Sequence, residues 1–144
     1  MTVQRILSAM PKVNMHIAPD ATIAEVLQSP EFEANGVLVV SSDGGRVEGI
    51  ITERDVVCGL KRIGPDLLSM PAQDLMTEKV LTCAPEDRAA GIMALMVFRH
   101  VLHLPVVTNG KLVGIVSVHD LLHLRLKEVR SDAEAMQNYI TGTV

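Results

Sequence analysis

Shifted against itself by 66 residues, the 144-residue sequence begins to match: Met10 falls on Met76, Ala18-Pro19-Asp20 on Ala84-Pro85-Glu86, and Phe32 on Phe98. One residue fewer in a later turn changes the offset to 65. Gly49-Ile50-Ile51-Thr52-Glu53-Arg54-Asp55 then falls on Gly114-Ile115-Val116-Ser117-Val118-His119-Asp120. In-phase matches at the start, middle and end of a unit mark an internal duplication. Two copies in a chain of this length leave each too small to bury its own faces, so the copies must pack on one another.

Each copy carries the same local signals. A short extended piece (Met15 to Ala18; Val80 to Cys83) runs into Pro and then acidic and small residues, which suit a helix N-terminus. Helices are expected from Thr22 and from Asp87, with Pro30 shortening or kinking the first. Apolar strands follow (Gly36 to Val40; Leu104 to Val107), then turns with hairpin chemistry, Ser42-Asp43-Gly44-Gly45 and Thr108-Asn109-Gly110. Second strands (Val47 to Ile51; Leu112 to Val116) lead into helices beginning near Asp55 and Asp120. The order is β-α-β-β-α twice, an α/β (α+β) arrangement in which two small sheets pack together. The expected division is residues 1–64, a joining segment 65–73, residues 74–126, and a C-terminal helix and tail 127–144.

Composition excludes several function classes. With two Phe, one Tyr and no Trp, the chain has little with which to stack bases. Thirteen basic against seventeen acidic side chains, net charge −4, disfavour an electrostatic grip on a nucleic-acid backbone. No apolar run reaches the roughly eighteen residues of a membrane span, and the start lacks the apolar core of a secretory signal. Cys58 and Cys83 lie in apolar stretches and read as small buried hydrophobes in a reducing compartment, with cytoplasm the expected location. There is no nucleophile elbow and no Walker-type phosphate loop, so no catalysis is expected.

The paired Gly-hydrophobic-hydrophobic-[Ser/Thr]-x-x-Asp segments, together with His103-Leu104-Pro105-Val106-Val107 and Leu75-Met76-Thr77-Glu78-Lys79-Val80, resemble the cystathionine β-synthase (CBS) domain family. The resemblance spans roughly residues 3 to 126. It implies a tandem pair related by a pseudo-twofold axis, with two clefts between the units that take adenosine-containing ligands such as AMP, ADP, ATP or NAD(H). It also implies a non-catalytic regulatory module that works as a homodimer and signals to an effector protein.

The site chemistry follows residue by residue. Two vicinal ribose hydroxyls can both donate to one carboxylate, and such charge-assisted bonds are strong. Asp55 and Asp120 stand at helix mouths for this, with Thr52 and Ser117 three residues earlier offering hydroxyls. The same Ser/Thr-x-x-Asp spacing also describes a capping box, a purely structural device. The resemblance implies that each cleft mixes residues of both units. Asp55, with Arg54 beside it, would then face Thr82, Cys83 and Ala84, with Arg99, His100 and His103 available to phosphates. Asp120, with His119, would face His16, Ile17 and Ala18. Glu33 and Ala34 replace Arg99 and His100 there, so only Lys12 or His119 could offset the negative charge. The expectation is asymmetric: a charged nucleotide at Asp55, a weaker or neutral ligand at Asp120.

Two other readings stand beside this one. His100 with His103, and His119 with His123, have spacings that can bind zinc, which with Cys83 would make a metal or redox sensor. A module that has lost its ligand and serves only protein interaction is the other. The run from Arg88 to His100 has almost no polar face, and a helix apolar all round must be covered on all sides. A second copy of the chain is the expected cover. A last helix, Leu121 to Tyr139, is expected to add to that contact.

Overall fold

The structure is a computed structural model that describes residues 1–9 and 15–142. In the first unit, the Thr22 hydroxyl accepts from the Glu25 N–H and starts helix α2 (Ile23–Gln28). Pro30 has no N–H to continue it, so the helix stops and restarts as α3 (Pro30–Asn35). Ser29 closes the first helix and caps the second. Gly36, at φ 72°, ends α3 in the left-handed conformation and turns the chain into strand β2 (Val37–Val40). Strand β1 (His16–Ile17) pairs parallel to β2, and β3 (Gly49–Thr52) pairs antiparallel on its other side. The turn expected at Ser42 to Gly45 is part of a longer loop spanning 41–48.

Helix α4 (Glu53–Ile63) follows β3 directly. The joining segment is no loose linker: it forms a 3₁₀ turn (Pro65–Ser69) and helix α5 (Ala72–Leu75). Leu67 and Ala72 are fully buried in the first unit's core, with Ile23, Val26, Phe32, Leu38, Ile51 and Val56.

The second unit contains α6 (Ala89–Arg99), β4 (His103–Thr108), β5 (Lys111–Ser117) and α7 (Val118–Thr141). Asn109 and Gly110, both at positive φ, make the tight β4–β5 hairpin that their sequence announces. The extended piece expected from Val80 to Cys83 is reduced to one parallel bridge, Cys83 to Val106. The second sheet therefore has two strands where the first has three.

All four residues of β2 are buried because its sheet is covered on both faces. Leu38 and Val40 point to the helices, whereas Val37 and Val39 meet Ile50 and Ile115 in an apolar layer between the two sheets. Ile50 and Ile115 are equivalent positions of the duplication, so this layer lies on the pseudo-twofold axis.

One crossing was not legible in the repeat. Helix α1 (Val3–Ala9) belongs by packing to the second unit. Val3 and Ile6 enter that unit's core with Ile92, Met96, Leu104, Val116 and Leu121. The Val3 and Gln4 N–H groups donate to the carbonyls of Asp87 and Pro85 at 3.0 and 2.9 Å. Helix α5, which precedes the second unit in sequence, likewise packs on the first. Each leading helix thus crosses to the other unit and ties the pair together.

Candidate functional site

Both Ser/Thr-x-x-Asp segments form complete capping boxes: Thr52 and Ser117 accept from the N–H groups of Asp55 and Asp120, and each carboxylate accepts from its cap's N–H. The two carboxylates nevertheless differ. Asp55 accepts from the Thr52 N–H at 2.9 Å, the Thr52 hydroxyl at 3.1 Å and the Thr77 hydroxyl at 3.4 Å. Among the described residues, Asp120 accepts only from the Ser117 N–H, at 3.2 Å. Its remaining oxygen capacity faces a cavity of about 650 Å³ at the seam of the two units.

That cavity draws Met15, Glu31, Ala34, Asn35 and Val37 from the first unit and Leu102, His103, Ile115, Ser117, Val118 and His119 from the second. Its size falls in the range of small-molecule sites, with mostly apolar walls and a few polar groups. Val37 and His103, equivalent positions of the duplication, both line it, so it reaches the pseudo-twofold axis.

His103 corrects an expectation. Placed beforehand beside Asp55, it lines the Asp120 cavity, because the β4–β5 register sets it directly opposite Ser117. Burial pulls its imidazole below the ordinary histidine value, against the Asp120 charge, a hydrogen bond to the Asn35 backbone and the Glu53 charge. His103 therefore senses carboxylates at the mouths of both α7 and α4.

Cys83 and Ala84 are also corrected. The Cys83 side chain is buried in the second unit's core, and its N–H and C=O are both bonded, to Pro105 and Val107. Burial pushes its thiol up to about 11. The Ala84 N–H donates to the Asp87 carboxylate at 2.8 Å. Neither N–H is left to donate to an adenine. Thr82 and Arg54 are exposed. Arg99 and His100 lie exposed at the end of α6, where His100 takes the left-handed cap conformation at φ 54°.

Around Asp120, His16 and Ile17 form β1. Ile17 packs against the first core, and the His16 ring lies against the Gly44 backbone, whereas Met15 lines the cavity. Glu31, not the exposed Glu33, supplies the acidic wall, and Lys12 lies outside the described residues. Cys58, expected to be buried, is exposed on α4. Among the described residues, no group of three or more His, Cys, Asp or Glu side chains converges as a metal site would need. Asn35, Leu102 and Val118 were missed by sequence reasoning. As ordinary strand-end and helix-end residues, they carry no motif, and only the packing of the units brings them together.

A duplicated α+β module with a ligand-sized cleft at its seam is the class that fold and site define. The chain belongs to the CBS domain family, whose model matches residues 3–61 and 72–127, so it is a tandem CBS pair. It is 32% identical over 127 residues to the mitochondrial CBS domain-containing protein CBSX3 of Arabidopsis thaliana, a match covering 85% of this chain and 62% of that protein. Three curated relatives are each matched over 62–63% of their own length. Among solved structures, a CBS-domain protein of Agrobacterium tumefaciens superposes with a TM-score of 0.80 at 30% identity, covering 87% of this chain and 99% of that one. The CBS domain pair of protein MJ0100, solved with 5′-methylthioadenosine and S-adenosyl-L-methionine, shares the fold at a TM-score of 0.75 and 22% identity, covering 89% and 98%. No helix among the described residues is long and apolar enough to cross a membrane.

Proposed function

We propose that this CBS pair is a non-catalytic regulatory module that binds an adenosine-containing ligand, AMP, ADP, ATP or NAD(H), in the seam between its units. The carrying observation is the cavity at Asp120, where a carboxylate with one donor among the described residues faces, at a helix mouth, a ligand-sized apolar space. One carboxylate can accept from both ribose hydroxyls while the apolar wall of Met15, Val37 and Ile115 takes the base. The adenosine compounds seen with the MJ0100 pair support the same ligand class. Thr52, Arg54, Asp55 and Thr82, with Arg99 and His100, are the residues assigned to a second, Asp55-side cleft. There Thr77 already holds the carboxylate.

Ligand binding at the seam fixes the relation of the two units, and a homodimer passes this to an effector. Val57 and Leu60 on α4 and Val97 and Phe98 on α6 are exposed in the single chain, Phe98 at 79%, as a surface for a second copy would be. Conversion of dimer to monomer by Phe98→Glu, read by light scattering, tests this part.

A second reading, a ligand-free interaction module, is favoured by one observation: both capping boxes are complete and give each aspartate a structural use. A thermal-shift titration with AMP, ADP, ATP, NADH and S-adenosylmethionine separates the two. A saturable rise in Tm that Asp120→Ala removes supports ligand sensing. The absence of any rise leaves the interaction module.

A further inference from the structure

Past the seam cavity, a second hollow of about 960 Å³ runs between α1 and α7. It shares His119 and Asp120 with the first, so the two adjoin at the carboxylate assigned to ribose. From that junction, His119, His123 and Lys127 follow one another at i, i+4 and i+8 of α7, all exposed on one face. They span about 12 Å at the helical rise of 1.5 Å per residue. Arg5 of α1 lines the same hollow.

The two compartments differ in charge. Among the described residues, the lining of the seam cavity holds the carboxylates Glu31 and Asp120 and no lysine or arginine. The α1–α7 hollow holds both Arg5 and Lys127 with two imidazoles. Of its carboxylates other than Asp120, Glu128 has Arg125 at 3.6 Å besides Arg5 at 3.7 Å, so Arg125 still holds it when Arg5 turns to a phosphate; Asp132 lies at the end away from the seam.

We propose that the α1–α7 groove is the phosphate compartment of the ligand site, its His119–His123–Lys127 ladder and Arg5 taking the 5′-polyphosphate or pyrophosphate chain of a ligand whose adenosine sits at Asp120. The inference rests on the adenosine reading of the seam and goes beyond it by selecting among adenosine compounds. A ligand with a long anionic tail fills both compartments, whereas adenosine fills one. Because the ladder lies on the exposed face of a helix, its substitution leaves the packing of the units alone.

Isothermal titration of the full chain with adenosine, AMP, ADP and ATP tests it, using wild type and the His123→Ala/Lys127→Ala variant. Wild-type affinity is expected to rise from adenosine to ATP. The double variant should keep adenosine affinity and lose about tenfold for ATP, since an exposed ion pair contributes up to about fivefold and two positions are removed. Lys127→Gln alone, which removes one position, should lose up to about fivefold for ATP and serves should the double variant fold poorly. Adenosine binding with no gain for ATP, or a gain that survives in the variants, overturns the groove and leaves the seam reading standing. No binding of any of the four overturns both.

Discussion

The Thr77 hydroxyl donates to the Asp55 carboxylate at 3.4 Å, across a sequence gap that includes the whole joining segment. The same stretch pairs its backbone with Ile50, Thr77 N–H to Ile50 C=O at 2.9 Å and Ile50 N–H to Thr77 C=O at 3.0 Å. Asp120 has no equivalent partner among the described residues. Among the described residues, Asp55 therefore holds more hydrogen bonds than Asp120. Asp55→Ala is expected to lower stability more than Asp120→Ala, by about 1 kcal/mol per hydrogen bond lost. Urea denaturation of the two variants checks the order; equal losses would contradict it.

Gly114 and Gly49, equivalent positions in the two repeats, each lie under a side chain from a crossing segment. A Cβ at Gly114 would lie 2.6 Å from a Leu7 methyl of α1, and one at Gly49 would meet the Met76 side chain just after α5. The atom met is the tip of the half-buried Leu7 side chain, which can shift, so Gly114→Ala should cost up to about 1 kcal/mol through overpacking. Gly114→Ala combined with Leu7→Ala should recover part of that loss. A double-mutant cycle in denaturant measures the coupling, and additive losses would show that α1 does not press on β5.

The two cysteines should react very differently. Cys58 is exposed, whereas Cys83 is buried with its thiol pushed up to about 11 by burial, which the Asp87 charge reinforces. Since the thiolate is the reactive form, one thiol per chain should be alkylated readily at pH 8 and the second only on unfolding. Mass spectrometry of the alkylated peptides distinguishes the sites, and prompt labelling of Cys83 would contradict its placement.

His103 should make the seam sensitive to acid. Burial lowers its folded-state value below that of the unfolded chain. On acidification the unfolded state thus takes up the proton first, and stability is lost as pH falls through the ordinary value near ~6.5 towards the lower folded one. Above that window the histidine contributes no pH dependence. His103→Gln should flatten the stability profile between about pH 7 and pH 5, because it cannot gain the charge whose burial destabilises the folded seam in acid. Unchanged curvature in that variant would contradict the assignment.

Much of this architecture was readable in the sequence because duplication repeats every signal. Thr52 with Asp55 and Ser117 with Asp120 announced helix mouths twice, Pro30 marked the break between α2 and α3, and Asn109-Gly110 marked the second hairpin. Other features depend on distant packing. The place of His103 follows from strand register opposite Ser117, which local pattern does not specify. The burial of Cys83 follows from its bridge to Val106 in another part of the chain. The crossing of α1 was hidden because a short amphipathic helix does not encode which of two similar cores it joins. Arg99 and His100 led the sequence reading to place the charged ligand at Asp55, whereas the seam cavity lies at Asp120. Which cleft is the more open was not legible, since it turns on whether a threonine such as Thr77 reaches the aspartate.

The central claim is that an adenosine moiety sits in the seam with its ribose on Asp120. A crystal structure of the chain grown with AMP tests this most directly. The account predicts density for the nucleoside in the seam cavity against Val37 and Ile115, with both ribose hydroxyls within about 3.2 Å of the Asp120 carboxylate. An empty seam at saturating AMP, or a nucleotide bound with its ribose away from Asp120, would contradict it.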